Sequence, residues 1–179
     1  RPFVMYTGGI DPRKNIARLI EAWSKLPPDI RQSHQLALVC SVQPNERAVL
    51  EDAARKAGLA PGELAITGYV PEADLVHLYR ICKLYVFPSL HGGFGLPALE
   101  AMRCGAPVIG AGNSSIPEVI GRADALFDAT SADAIAASIG HVLRDGAFRA
   151  DLARHGLRQA EKFTWQRSAR TALEAIESL

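Results

Sequence analysis

Two adjacent cations lie in the segment TGGIDPRKN near the start of the sequence. Arg13 and Lys14 precede a helical repeat of apolar residues, so they lie at or just before the amino end of a helix, whether Asp11 or Asn15 caps it. A cation at this end opposes the helix dipole by about 0.3 to 1 kcal/mol. A phosphate ligand would explain both residues, whereas the alternative is a pair of solvated surface cations.

A glycine-rich loop in LYVFPSLHGGFGLPALEAMRCG joins a short apolar strand to a short helix. Gly92, Gly93 and Gly95 allow the backbone to approach a ligand closely. Pro97 suits the first turn of a helix, and Gly105 suits the left-handed position that ends one. Backbone N–H groups and the positive end of the helix dipole can therefore meet an anion in this loop.

The helix that follows the loop carries Glu100 among small and apolar residues. A carboxylate in this position can accept hydrogen bonds from two neighbouring hydroxyls, such as those of a ribose. The alternative is a surface ion pair with Arg103, three residues further along the helix.

Other candidate motifs have simpler interpretations. Ser115 and Glu118 have the spacing of a capping box, which favours a structural role. His91 is the only histidine beside the predicted ligand, and the histidines together form no metal-ligand pattern, so we predict no metal site. Neither a P-loop nor a complete G-x-G-x-x-G occurs, which argues against an ATPase and an ordinary dehydrogenase. Phe163 and Trp165, at the start of the last helix, are predicted to pack against the domain.

Strands and helices alternate along the chain and must position these residues. We predict strands at residues 3–7, 36–41, 65–70, 84–87, 107–110 and 125–127. A helix from residue 16 is stopped by Pro27 and Pro28, another covers 46–56, a third begins at Pro71, and helices continue from Ser131. Short strands that are apolar throughout indicate an α/β fold with a parallel sheet covered on both faces. Ligands bind such sheets beyond the carboxyl ends of the strands.

Composition limits the class of protein. The chain has 179 residues and 48% hydrophobic content, which predicts one domain. Its net charge of +1 is too small for an overall electrostatic field that would attract nucleic acid. The three cysteines lie far apart, which favours buried free thiols in a reducing compartment. No apolar run has the length of a membrane span and no signal peptide is recognisable, so we predict a cytoplasmic protein. Because the sequence begins at Arg1 without a methionine, we expect it to be part of a longer chain.

Four segments together resemble a known family: YTGGIDPRKNIARLIEAW, ITGYVPEADLVHLY, PSLHGGFGLPALEAMRCGAPVIG and EKFTWQRSA. Over essentially the whole chain, the sequence is similar to the carboxy-terminal domain of retaining glycosyltransferases of family 4, also called glycosyl transferases group 1, including mannosyltransferases. The resemblance implies a Rossmann-like sheet of about six strands with helices on both faces, forming the second half of a GT-B fold. Residues 1–179 would be a single donor-binding domain, and the amino-terminal acceptor domain would be absent.

The resemblance also assigns roles to residues. Lys14 would hold the donor pyrophosphate with help from Arg13, and Gly9 fills a slot in which the family usually has arginine. Glu100 matches the second glutamate of the family's E-x7-E pair, which binds ribose, and Gly92 replaces the first, which approaches the sugar. The residues assigned to donor binding are Gly8, Gly9, Arg13, Lys14, Gly68, Tyr69, Val70, His91, Gly92, Gly93, Phe94, Gly95, Leu96 and Glu100. Within this set, Gly68 to Val70 would contact the base, Phe94 to Leu96 would offer amides to the phosphates, and Lys14 and Glu100 would be catalytic.

The implied reaction is transfer of a hexose from UDP-hexose or GDP-hexose to an acceptor hydroxyl, with retention at the anomeric carbon, in polysaccharide biosynthesis. It needs no tightly bound cofactor and no metal, because Lys14 and the helix end supply the positive charge. The implied partners are the nucleotide sugar, the amino-terminal domain and an acceptor glycan or lipid-linked sugar, at the inner face of a membrane, but no nucleic acid. The isolated domain is expected to be inactive. Two alternatives remain open: a nucleotide or sugar-phosphate binding module without turnover, and a sugar-nucleotide epimerase of the same fold.

Overall fold

Six short strands form one parallel sheet in the order β3-β2-β1-β4-β5-β6 in the computed structural model, which describes residues 1–177. The strands are β1 (Phe3–Thr7), β2 (Gln35–Val39), β3 (Leu64–Ile66), β4 (Leu84–Phe87), β5 (Val108–Ala111) and β6 (Leu126–Phe127). Every residue of β4 and β5 is buried, as expected for strands covered on both faces. The predicted α/β fold with a Rossmann-like parallel sheet is confirmed.

Nine α-helices among residues 1–177 connect and cover the strands. They are α1 (Ile16–Ser24), α2 (Pro28–Ser33), α3 (Pro44–Lys56), α4 (Glu72–Ile81), α5 (Leu96–Arg103), α6 (Ile116–Ile120), α7 (Ala132–Arg144), α8 (Gly146–Ala160) and α9 (Trp165–Glu177). Helix α1 packs against α3 and α7, whereas α5 packs against α6 and α8. Because strand order reverses between β1 and β4, right-handed crossovers place these two groups on opposite faces of the sheet.

The structure corrects two predictions of where elements begin and end. Pro27 and Pro28 do more than stop a helix, since α1 ends at Ser24 and Pro28 opens α2. Proline lacks an N–H, but the first residue of a helix has no partner for an N–H, so Pro28 can begin α2. Strand β3 ends at Ile66 rather than continuing to residue 70, because Gly68 has a positive φ of 77° that turns the chain away.

The packing prediction for the two aromatic residues near the last helix is half correct. The ring of Phe163 packs edge-on against Phe94, with centroids 5.4 Å apart. The side chain of Trp165 does not pack, since the residue is 83% exposed at the start of α9. Within residues 1–177, none of the residues of α9 is buried.

None of the helices among residues 1–177 combines the length and the apolar content needed to cross a bilayer. The three cysteines are unpaired as predicted, and Cys40 and Cys82 are buried, but Cys104 is only half-buried, because it lies at the end of α5. Burial raises the pKa of the Cys82 thiol to about 12.

Candidate active site

The loops after β1 and β4 meet at the carboxyl edge of the sheet, where the strand order reverses. The N–H of Leu90 donates to the carbonyl of Arg13 at 2.8 Å, which joins the two loops directly. In open α/β sheets, ligands bind in the crevice at this kind of switch point. The structure therefore brings the predicted cationic segment and the predicted glycine loop together.

Asn15 holds this junction in place. Its backbone is left-handed, with φ of 63°, and the residue is only 7% exposed. Its Nδ2 donates to the carbonyl oxygens of Pro88 at 3.0 Å and Ala129 at 2.8 Å, so one amide joins the ends of three loops. Asn15 makes no side-chain cap for α1, and it is Asp11 that caps the 3₁₀ turn Pro12–Lys14.

Two substitutions separate the conformation of Asn15 from its hydrogen bonds. Asn15→Ala is expected to lower the free energy of unfolding by about 3 kcal/mol, because it removes two buried hydrogen bonds and the favoured left-handed residue. Asn15→Gly loses the same hydrogen bonds but accepts positive φ, so its loss should be about 1 kcal/mol smaller. Urea denaturation of the two variants measures the difference; equal losses would contradict a conformational contribution.

The two cations of the first loop have different partners. The guanidinium of Arg13 is 72% exposed and pairs with Asp11, with Nε 2.9 Å from Oδ1. Arg13 also holds the pKa of Asp11 below its usual range, chiefly through this hydrogen bond. The ammonium of Lys14 forms no ion pair or side-chain hydrogen bond with any residue in 1–177. Lys14 is thus the cation of this loop that makes no direct ion pair within the described residues, although its charge helps Arg13 to lower the pKa of Asp11.

The glycine loop also leaves polar groups unpaired. Within the described part of the chain, neither the N–H of Phe94 nor that of Gly95 donates a hydrogen bond. Leu96 begins α5, and the first N–H groups of a helix have no intrahelical partner. Gly95 has φ of 91°, and a Cβ there would lie 2.6 Å from Cδ1 of Ile116, so the loop accepts only glycine at this point.

Ser115 contradicts the predicted capping box. The residue already has helical dihedrals, with φ of −85° and ψ of −8°, instead of the extended conformation of a side-chain cap, and it makes no cap hydrogen bond. Its hydroxyl instead donates to the carbonyl oxygens of Gly93 at 2.5 Å and Phe94 at 3.1 Å. The side chain of Ser115 thus contacts the glycine loop, and only its backbone carbonyl bonds to α6, by accepting from the N–H of Val119.

Glu100 lies exposed on α5 and does not form the alternative ion pair. Arg103 donates instead to the carbonyls of Ala160 and Phe163. One oxygen of Glu100 accepts a hydrogen bond of 3.2 Å from the hydroxyl of Tyr79, a residue that is 1% exposed. Burial, and then the nearby Glu100 charge, raise the pKa of Tyr79, so the phenol remains a donor at neutral pH.

Two further buried tyrosines donate hydrogen bonds to the carbonyls at the start of the loop after β1. Tyr6 donates to the carbonyl of Gly9 at 2.6 Å, and Tyr85 donates to the carbonyl of Thr7 at 3.2 Å. Burial raises the pKa of both, which keeps them protonated. A Cβ at Gly8 would lie 2.8 Å from the Tyr6 hydroxyl, which explains the glycine. Sequence reasoning missed all three tyrosines, although a tyrosine in an apolar segment is a signal because its hydroxyl needs a partner.

The predicted sugar-side position is open. A Cβ at Gly92 would meet only a ring carbon of Phe87 at 3.9 Å, and the residue is not left-handed. His91 next to it is exposed, and its ring makes no hydrogen bond within residues 1–177. The loop therefore has room for a side chain at residue 92.

The predicted base-binding segment lies further along the same edge. Residues 68–70 follow β3, which is separated from β1 by β2. Neighbouring strands lie about 4.8 Å apart, so this segment is about 10 Å from the first loop along the sheet. Gly68 is left-handed, and Tyr69 is 78% exposed. The cationic segment, the glycine loop and the base-binding segment thus lie at one edge of the sheet, and a backbone hydrogen bond joins the loops of the first two.

The strand order defines a Rossmann-like α/β domain. Comparison with known proteins gives the family. The sequence pattern described as Glycosyl transferases group 1 matches residues 1–159, and the chain belongs to this family.

Three known proteins illustrate the relationship. The chain is 43% identical over 177 residues to the serotype-specific mannosyltransferase WbdA of Escherichia coli, covering 99% of this chain and 22% of the relative. It is 37% identical over 177 residues to the O-antigen chain mannosyltransferase B of Escherichia coli, covering 99% and 46%. Anabaena HepE, solved in complex with UDP and glucose, superposes with a TM-score of 0.83 at 23% identity, covering 99% and 48%, which shows a shared fold. The chain thus spans less than half the length of each of these proteins.

Proposed function

We propose that this chain is the donor-binding half of a retaining hexosyltransferase that uses a nucleotide diphosphate sugar. The observation that carries this proposal is that the loop with the unpaired ammonium of Lys14 and the loop with the unpaired amides of Phe94 and Gly95 meet at one switch point. An unpaired cation and unpaired amides suit a diphosphate, which carries negative charge and several acceptor oxygens. Family membership supports the same ligand class.

The proposed chemistry is stabilisation of the leaving diphosphate. The bond between the anomeric carbon and the diphosphate oxygen breaks, and the acceptor oxygen bonds to the same face of that carbon. The departing phosphate takes the acceptor proton. Lys14, the loop amides and the positive end of α5 stabilise the growing negative charge, the kind of interaction that contributes most to many enzymatic rates. The scheme needs no metal ion because these groups supply its charge.

The remaining residues have positioning roles in this proposal. Glu100 accepts hydrogen bonds from the ribose hydroxyls, and Gly68 to Val70 contact the base through backbone groups. Arg13 assists Lys14 at longer range, since its charge is partly compensated by Asp11. His91 and Gly92 lie on the sugar side.

We further propose that residues 1–179 form one donor-binding domain whose active site is completed by another domain. The relatives that the chain matches are more than twice its length, which supports this division. Both are named mannosyltransferases, so a mannosyl donor such as GDP-mannose is the first candidate, and the HepE complex makes UDP-glucose the second. We propose a glycan or lipid-linked sugar as acceptor and a cytoplasmic location, and we expect the isolated chain to be inactive.

Calorimetric titration of the chain with UDP, GDP and their hexose derivatives tests the donor site. We expect one of the two nucleotides to bind at micromolar concentration, with the matching nucleoside at least tenfold weaker because it lacks the phosphates. Binding of neither nucleotide below millimolar concentration would refute the donor-site proposal.

A second candidate function is a nucleotide-binding module without turnover. Gly92 favours it, because glycine replaces the family glutamate that would approach the donor sugar. A transfer assay on a chain that includes the acceptor domain decides between the two. Nucleotide binding without any transfer of sugar would identify the binding module.

A further inference from the structure

Ser115 lies in the turn between β5 and α6, outside the glycine loop that it contacts. Its single hydroxyl proton is shared between the carbonyl oxygens of Gly93 and Phe94. Ser115 thereby fixes the direction of two successive peptide groups, Gly93–Phe94 and Phe94–Gly95.

The geometry of the peptide bond extends this effect to the opposite side of the loop. In a trans peptide, the C=O of one residue and the N–H of the next point in opposite directions, and the described residues contain no cis peptide. Since the carbonyls of Gly93 and Phe94 point towards Ser115, the N–H groups of Phe94 and Gly95 point away from it. Both are among the loop amides that have no partner within residues 1–177.

Gly95 is held by its packing on Ile116 and by the N–H groups of Ala98 and Leu99, which donate to its carbonyl, but Gly93 has few restraints besides Ser115. A Cβ at Gly93 would have no neighbour within 4 Å, so the backbone there is free of close packing. Because residue 93 is glycine, its backbone can adopt other dihedral angles at little steric cost, which would rotate the Gly93–Phe94 peptide group. The ring of Phe94 is anchored on Phe163, but ring packing alone does not fix the rotation of the adjoining peptides.

We propose that Ser115 is a positioning residue that orients the Phe94 and Gly95 amides towards the donor diphosphate. This inference rests on the proposed function, because it assumes that a diphosphate occupies the switch point. Ser115 itself need not touch the ligand. Its contribution is to hold the amides in the binding orientation before the ligand arrives, which reduces the ordering cost of binding.

Calorimetry on Ser115→Ala and Ser115→Thr in the 179-residue chain tests the proposal, with UDP, GDP and the two nucleosides as probes. Ser115→Ala should weaken the nucleoside diphosphate by about fivefold, the equivalent of one neutral hydrogen bond. It should leave nucleoside binding unchanged, because the nucleoside has no phosphates to meet the loop amides. Ser115→Thr keeps the hydroxyl and should retain at least half of the wild-type affinity.

Ser33→Ala is the matched control, since the Ser33 hydroxyl also donates to two backbone carbonyls, those of Asp29 and Ile30, but lies on α2 away from the loop. The inference is overturned if Ser115→Ala binds the diphosphate as wild type does, if it weakens nucleoside and diphosphate equally, or if Ser115→Thr loses as much as Ser115→Ala. Failure of the wild-type chain to bind either nucleotide would instead overturn the proposed function. Thermal unfolding of each variant identifies any loss of affinity that follows from loss of fold.

Discussion

Lys14→Met is expected to lower the rate of sugar transfer by about 10² to 10³-fold, the loss found when one preorganised transition-state donor is removed. Methionine keeps most of the length and apolar contact of the lysine side chain but removes its charge. The fold should be unaffected, because the Lys14 ammonium pairs with no residue in the described chain. The measurement is kcat for transfer in a chain that includes the acceptor domain, alongside nucleotide affinity in the 179-residue chain.

Lys25→Met is the control for this prediction. Lys14 lies just before α1, whereas Lys25 lies just after the other end of that helix. The ammonium of Lys25 pairs with the Asp133 carboxylate at 2.9 Å. Its loss should leave transfer within about twofold of wild type, since exposed ion pairs contribute about 0 to 1 kcal/mol to stability. Wild-type transfer by Lys14→Met would remove Lys14 from its phosphate role.

Glu100→Gln is expected to weaken the nucleoside diphosphate by about 10-fold to 100-fold, because hydrogen bonds to a charged group contribute about 1.5 to 3 kcal/mol. The amide keeps the size of the side chain but offers only one good acceptor oxygen to the ribose. The 2′,3′-dideoxy nucleotide should bind the variant and the wild type equally, because it lacks both hydroxyls. Calorimetry with the two nucleotides measures the difference.

Glu161→Gln, an exposed substitution next to the end of α8, provides the control and should change neither affinity. Tyr79→Phe should weaken the ribonucleotide less than Glu100→Gln does, since the carboxylate remains but loses the 3.2 Å hydrogen bond from Tyr79. A Glu100 variant that weakens the ribonucleotide and the dideoxy nucleotide equally would contradict ribose recognition.

The sequence predicted the sheet well because burial on both faces leaves a continuous apolar run. Strands β1 and β4 were predicted with the bounds that they have, Phe3–Thr7 and Leu84–Phe87. Strand β3 was overextended because the pattern shows apolar residues but not the dihedral of Gly68, and α2 was missed because proline is a signal for both the end and the start of a helix.

The candidate site was predicted where a residue type or a local motif carries the signal. Lys14, the glycine loop and Glu100 were proposed as site residues in this way. The contacts that position these residues were not predicted, because the contacts join residues far apart in sequence. Asn15 bonds to Ala129 across 114 positions, and Tyr79 bonds to Glu100 across 21. Ser115 was misassigned for the same reason, since a local capping pattern gives no information about a carbonyl 22 positions earlier.

The open space at Gly92 has a consequence for the history of this protein. Because the backbone there is not left-handed and a Cβ would meet only a ring carbon of Phe87, a side chain can begin at this position without a change of backbone conformation. Some glycine codons become glutamate codons by a single base change, so the step lies within reach of one mutation. Residue 92 is therefore a position at which a side chain can be gained or lost in evolution, unlike Gly95, whose left-handed backbone and contact with Ile116 favour glycine.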